Sequence, residues 1–346
     1  MTKMIRNMEV LTVIGMILLL LGCEGQWEAD PTDIADTLSL SATVEKTARC
    51  SASDYVFEFE YSIPVSEDAS LHLLEKFTVK SLFSRDRKAV LMLPPTLTSN
   101  IFYDADIDDL GSYNVLKRMA KAGYFAFAVS YEGYGESSMP SDGRTVTFER
   151  TLSEIGFLVE VIRIARFTDK VDLIGGSMGA ALAVALGSDG GPIPYAHIGR
   201  IVLTSMPYRN FSPFVEEEVF TPEFEEYLQS LSYIETGPEM YAPVAALATP
   251  EAAVWINTNF PGVYATGPTL EGFDLPMWPA ELGRVPALQI YGELDIIHTM
   301  EDVAAFQSEY GGSVSLMVVE GGGHSPFFEA GRDDVFETII SFFKGE

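Results

Sequence analysis

The chain has 346 residues, 47% of them hydrophobic and spread throughout, enough to bury a large core. Its 22 Lys+Arg against 50 Asp+Glu give a net charge of −28, which argues against nucleic acid as a partner because neutralising phosphate needs a basic face. The acidity reads as a solubilising surface, one that would also repel anionic substrates.

Residues 1–22 stand apart from any fold. Lys3 and Arg6 make a positive start, and the apolar stretch 10–22 has 13 residues. A helical bilayer span needs roughly 20, so this is the pattern of a signal peptide. It ends Leu20-Leu21-Gly22-Cys23, which resembles a bacterial lipobox, where the cysteine after a small residue is lipidated and becomes the mature N-terminus. The resemblance implies lipid on Cys23, a membrane anchor, and a place on the periplasmic or extracellular side of the cell envelope. Cys50, the only other cysteine, is then left without a cysteine partner, and neither a disulfide framework nor a cysteine-based metal site can form. Residues 23–52 are polar, acidic and short of large apolar side chains, and are expected to tether lipid to fold.

From residue 53 the pattern changes. Tyr55, Phe57, Phe59 and Tyr61 alternate with polar residues, the period of a half-buried strand, and residues 71–84 read as a second, longer strand. A regular series follows: strand 89–93, helix 110–122, strand 125–129, helix 148–166 with Ile155, Leu158, Val159 and Ile162 on one face, strand 171–174, a small-residue helix 180–186, and strand 201–204. Strands alternating with helices predict a mostly parallel sheet covered on both faces, with its site at the carboxyl ends of the strands.

The series then breaks. Ser205 and Pro286 are about 81 positions apart, where one crossover helix and two loops need roughly 20–30. The surplus, residues 210–282, is dense in proline and aromatic residues. It reads as an insertion whose aromatics mostly pack a small core of its own, with two or three lining a pocket. Strands 287–291 and 315–319 complete the series, so the core comprises residues 53–209 and 283–346.

Gly175-Gly176-Ser177-Met178-Gly179 lies between a strand and the small-residue helix. Glycines two before and two after the serine let the backbone turn tightly and push the hydroxyl out. Strand 287–291 runs into Gly292-Glu293-Leu294-Asp295, and strand 315–319 into Gly321-Gly322-Gly323-His324. Of the four histidines, His72 falls in the edge strand and His197 in a loop near Pro194. His298, close behind Asp295, is expected at the pocket rim. His324 follows a glycine triplet flexible enough to bring its ring to Ser177. The rival carboxylates, Glu293 and Asp302, are expected in the turn and in the following helix. No metal cluster stands out, and Glu216-Glu217-Glu218 reads as a solvated face.

Together with Tyr131-Glu132-Gly133-Tyr134-Gly135-Glu136-Ser137, Val285-Pro286 and Gly323-His324-Ser325-Pro326-Phe327, these residues resemble the serine α/β-hydrolases from about residue 85 to the C-terminus. The resemblance implies an α/β class with the α/β-hydrolase fold: a mostly parallel central sheet with helices on both faces, an antiparallel edge, and a cap at 210–282. It implies Ser177 as nucleophile, His324 as base and Asp295 as the acid that orients it, in the family's chain order, with no cofactor and no metal. It implies two oxyanion donors, the N–H of Met178 and one from the loop after Leu93. There the family's usual His-Gly is replaced by Pro94-Pro95, and proline has no N–H. Thr96 is the first available donor, with a hydroxyl to offer as well. Ser130 stands where an Asp often precedes the glycine-rich stretch, and is expected to loosen it. The implied activity is hydrolysis of a small carboxylic ester through an acyl-enzyme. The elbow also resembles that of homoserine acetyltransferases, so acyl transfer is an alternative. Others are hydrolysis of a lactone, amide or carbon–carbon bond on the same triad, and a non-catalytic binding protein.

Overall fold

The chain joins its sheet earlier than the sequence suggests. In a computed structural model, which describes residues 40–45, 55–66, 68–108, 111–218, 221–241, 245–271 and 278–346, Leu40–Glu45 (β1) pairs antiparallel with Val56–Pro64 (β2). β1 falls inside the expected tether. Its signal is the alternation of Leu40, Ala42 and Val44 with Ser41, Thr43 and Glu45. The leader, Cys23 and Cys50 lie outside the described residues.

β2 buries Phe57, Phe59, Tyr61 and Ile63, as its period requires, and pairs antiparallel with Ser70–Thr78 (β3). This second strand is shorter than expected, because at Thr78 the chain turns into a short helix, Val79–Phe83 (α1). Buried hydroxyls make the turn: Ser81 Oγ accepts the Thr78 N–H at 3.4 Å and donates to the Tyr124 carbonyl at 2.9 Å. The backbone thus leaves the ladder with its polar groups still partnered.

Ala89–Leu93 (β4) leads to Val115–Ala122 (α2), a helix that starts later than its apolar pattern suggests. Asn114 sets the start by accepting the Lys117 N–H at 2.8 Å as N-cap. Then come Phe125–Val129 (β5), Phe148–Arg166 (α3), Val171–Gly176 (β6), Met178–Leu186 (α4) and Ile198–Thr204 (β7). The insertion contributes Pro213–Glu218 (α5), Pro222–Gln229 (α6), Tyr233–Glu235 (β8), Pro250–Asn259 (α7), Val263–Ala265 (β9) and Gly267–Glu271 (α8). Ala287–Gly292 (β10), Met300–Glu309 (α9), Val314–Val319 (β11) and Arg332–Lys344 (α10) close the fold.

The main sheet runs β1-β2-β3-β5-β4-β6-β7-β10-β11. Neighbours from β5 to β11 are parallel, and β1, β2 and β3 form the antiparallel edge. α2 and α10 cover one face with Val115, Met119, Phe336 and Ile339. α3, α4 and α9 cover the other with Ile155, Leu158, Val159, Ile162, Leu182 and Phe306. One ion pair crosses that second layer. Arg166, at the end of α3, meets the Glu75 carboxylate with Nε at 2.6 Å, and Tyr61 donates to the same carboxylate at 2.7 Å.

Among the described residues the cap has no core of its own. Tyr241, Ile256 and Phe260 belong to the cluster under α2 and α10, and Leu228, Ile234 and Tyr264 to the cluster under α3. Phe260 packs on Phe102 at 5.7 Å and on Phe328 at 5.9 Å between ring centroids. A segment this short buries too little surface alone. Its aromatics therefore attach it to the main domain as well as to each other, since Phe260 also meets Tyr241 at 5.5 Å and Trp255 at 5.6 Å.

Candidate active site

Ser177 sits between β6 and α4 with φ 49° and ψ −116°. Positive φ is strained for a residue with a Cβ, at a cost of about 1–3 kcal/mol. The surroundings hold it there: the Ser177 N–H donates to the Thr204 carbonyl at 2.9 Å, and the Ser177 carbonyl accepts from Ala180 at 2.9 Å. A Cβ on Gly175 would run into the carbonyl of Gly179, and one on Gly179 into that of Leu93. Only glycines let strand, helix and neighbouring loop approach this closely.

Asp295 follows β10 and is buried at 8% exposure. Its Oδ1 accepts the Ile297 N–H at 2.8 Å. His324 follows β11, with its Nδ1 at 2.9 Å from Asp295 Oδ2 and 3.1 Å from Oδ1. The two loops are stitched together, since Leu294 N–H donates to Gly322 at 2.7 Å and Glu293 N–H to Val319 at 3.0 Å. A side chain at Gly292 would strike the Gly322-Gly323 backbone. Burial works to raise the Asp295 pKa, but the charge and hydrogen bond of His324, with help from His298 and the Ile297 N–H, hold it below the usual carboxylate value.

The structure thus brings Asp295 and His324 together and puts Ser177 at the same end of the sheet. Among the described residues, no hydrogen bond joins Ser177 Oγ to His324. Neither rival carboxylate competes for the ring: Glu293 is exposed and accepts the Gly321 N–H at 2.9 Å, while Asp302, in α9, accepts the N–H groups of Tyr208, Arg209 and Asn210. His72 faces Asn100 at 2.9 Å and His197 pairs with Glu160, both away from Asp295.

Two expectations need correction. His298 is not at a rim. It is 1% exposed, packed edge-on against His324 at 5.6 Å, with Nε2 3.5 Å from Asp295 Oδ2. Burial pushes its pKa down to about 4, against the pull of Asp295. Ser130 does not loosen its loop: its Oγ accepts the Asn100 N–H at 3.2 Å, its N–H donates to His72 at 2.9 Å, and its carbonyl accepts from Ser137 Oγ at 2.8 Å. A neutral hydroxyl does the pinning that a carboxylate was expected to do.

As first residue of α4, Met178 has an N–H with no acceptor inside the helix. The loop after β4 lies against the elbow, with Pro95 Cγ 3.1 Å from where a Gly176 Cβ would be. Two buried tyrosines fix that loop: Tyr103 donates to the Leu93 carbonyl at 2.9 Å and Tyr131 to that of Pro94 at 2.8 Å. The Thr96 hydroxyl is turned to Tyr134 (3.4 Å) and to Thr269 of the cap (3.3 Å), so the backbone N–H is what Thr96 has left to offer.

Sequence reasoning missed Glu329. It is 2% exposed, and its two oxygens accept the N–H groups of Gly323 at 2.9 Å and Ser325 at 3.1 Å, one on each side of His324. Burial raises its pKa against those hydrogen bonds. An acidic residue five places after the histidine, in an otherwise apolar run, was the available signal. Among the described residues, Asp295, His298 and His324 form the one group whose ligand atoms, all within 4.8 Å of one another, could hold a metal ion.

Residues 98–338 match the model of the alpha/beta hydrolase family. The chain belongs to that family. A search of curated proteins finds no match for this hydrolase. Among solved structures it resembles a hydrolase from Pseudomonas aeruginosa (15% identity, TM-score 0.59, 90% of this chain and 100% of that one). It also resembles an esterase from Exiguobacterium antarcticum (18%, 0.58, 80% and 96%) and a putative aryl esterase from Burkholderia cenocepacia (14%, 0.57, 83% and 98%). At these identities the likeness is one of fold, and it covers almost the full length of each relative.

Proposed function

We propose that this α/β hydrolase cleaves a carboxylic ester through an acyl-enzyme, with Ser177 as nucleophile, His324 as general base and Asp295 as its orienting acid. The observation that carries the reading is the Asp295 carboxylate on His324 Nδ1, at 2.9 Å. That bond fixes the tautomer with the proton on Nδ1 and leaves Nε2 as the basic nitrogen. In the free enzyme the link from serine to histidine is commonly long and tightens when substrate binds.

In the first half-reaction Ser177 Oγ attacks the ester carbonyl as its proton passes to His324 Nε2. The oxyanion forms against the N–H groups of Met178 and Thr96. The alcohol leaves with the proton from Nε2. Water, deprotonated by the same nitrogen, then releases the acid and restores the serine. A fluorophosphonate probe followed by peptide mass spectrometry tests the assignment, together with hydrolysis of nitrophenyl esters of increasing chain length. The adduct is expected on Ser177 alone. An unlabelled Ser177 in a protein that still turns over esters would refute the nucleophile.

Lipid attachment at Cys23, and with it a place in the bacterial cell envelope, is a second proposal, supported by the leader sequence. Among the described residues no helix is long and apolar enough to cross a membrane. Incorporation of labelled palmitate, lost in Cys23→Ser, is the expected result. Equal labelling of that variant would overturn it.

A further inference from the structure

Of the four histidines, His298 alone has neither ring nitrogen hydrogen-bonded, and its side chain is fully buried. Leaving a buried polar group unpartnered carries its full desolvation penalty, whereas an apolar side chain of the same shape carries none. Its polar neighbours are Tyr291, Asp295 and His324, the last packed edge-on at 5.6 Å with its own Nδ1 on Asp295. Tyr291 packs edge-on against the ring at 5.1 Å and donates its hydroxyl to the His298 carbonyl at 2.8 Å, not to the ring. Asp302 is occupied by three backbone N–H groups and Glu329 by two. What remains is Asp295, whose Oδ2 stands 3.5 Å from His298 Nε2.

We infer that His298 is a positioning residue for Asp295, presenting Nε2–H to Oδ2 so that the carboxylate stays in the orientation that engages His324. This rests on the triad reading given above. The terminal torsion of an aspartate is soft, and Ile297 N–H restrains only Oδ1. A donor beside Oδ2 supplies the second restraint. An ionised oxygen repels a nitrogen lone pair and attracts N–H, so the carboxylate itself selects the tautomer with the proton on Nε2. A shift of about 0.5 Å brings the pair to hydrogen-bond distance, at the moment His324 becomes cationic and the carboxylate must hold still. The ring has to be neutral for this, because a second cation would oppose the charge on His324. Burial provides that neutrality, keeping the His298 pKa near 4.

The test compares His298→Met, which fills the space without a donor, with His298→Gln, which restores an N–H at nearly the same place. On a nitrophenyl ester, His298→Met should lower kcat about 10–100-fold with KM little changed, the range seen when supporting partners of a site are removed. His298→Gln should recover most of it. The low-field Nδ1 proton of His324 should shift in the methionine variant and return in the glutamine variant. A wild-type kcat and proton position in His298→Met would overturn the inference, as would equal losses in both variants with a lowered melting temperature. Should His298→Met not fold, long-range proton–nitrogen spectra of the unaltered protein decide: the proton must be on Nε2, and its presence on Nδ1 refutes the role. Failure of the triad reading itself looks different, since Asp295→Asn would then keep its kcat whatever stands at 298.

Discussion

Glu329 grips the backbone on either side of His324, one carboxylate oxygen on the N–H of Gly323 and the other on that of Ser325. Charge-assisted bonds of this kind fix direction as well as distance, and here they aim the ring at Asp295. Glutamine keeps one acceptor and turns an amide NH2 toward the other N–H. Glu329→Gln should therefore lose about 1–3 kcal/mol of stability and about 10–100-fold in kcat. Thermal melts and ester kinetics measure both. An unchanged kcat would mean that the glycine turn aims the ring unaided.

The residues of the candidate site were more legible than the groups packed around them. Ser177, Asp295 and His324 each follow an apolar strand and a glycine, and those two signals are local. The parallel core was legible for the same reason, because β4, β5, β6 and β10 are short apolar runs buried on both faces. Glu329 acts on backbone N–H groups and left only a lone acidic residue in an apolar run as its signal, and the burial of His298 beside Asp295 leaves no mark in a pattern of side-chain types. β3 ended early because two hydroxyls found partners across the fold, at Tyr124 and Ala120. That the cap's aromatics also join the clusters of the main domain was not legible, because sequence gives their number but not which surface they meet.

Asp295→Asn tests the acid. Asparagine keeps the shape and can still accept from Ile297 N–H, but it lacks the charge that stabilises a cationic His324 and can present its NH2 to Nδ1. That would favour the wrong tautomer. The expected loss in kcat is about 10³–10⁴-fold, with the fold intact by circular dichroism. Rescue by Glu293 or Asp302 is not expected, because both lie in hydrogen bonds of their own. Activity within tenfold of the unaltered protein would remove Asp295 from the proposed mechanism.

The Arg166–Glu75 pair ties the antiparallel edge to α3, with both side chains at 3% exposure or less. Removing one charge leaves the other buried and unpaired, which costs about 3–5 kcal/mol. Arg166→Met should lower the unfolding free energy measured in urea by that amount. Adding Glu75→Gln should recover a substantial part of it, since the stranded carboxylate is then gone. A double variant as unstable as the sum of its parts would show that packing, not charge, carries the effect.

Glu154 of α3 and Glu132 of the glycine-rich loop share Arg150, at 3.2 Å and 2.6 Å. Burial first, and then the charge of Glu132, raise the Glu154 pKa from 4.5 to about 7. Between those values the folded chain holds a proton that the unfolded chain releases. Stability from this group is thus complete below about pH 4.5, falls as pH rises, and is lost above about 7. Glu154→Gln cannot release that proton. It should match the original protein at pH 4 and exceed it by roughly 1–3 kcal/mol at pH 8. Urea unfolding at a series of pH values measures the difference. Asp172, also raised to about 7 by burial, slopes both curves alike, so only their separation reports on Glu154, and curves that stay parallel from pH 4 to 8 would assign the proton elsewhere.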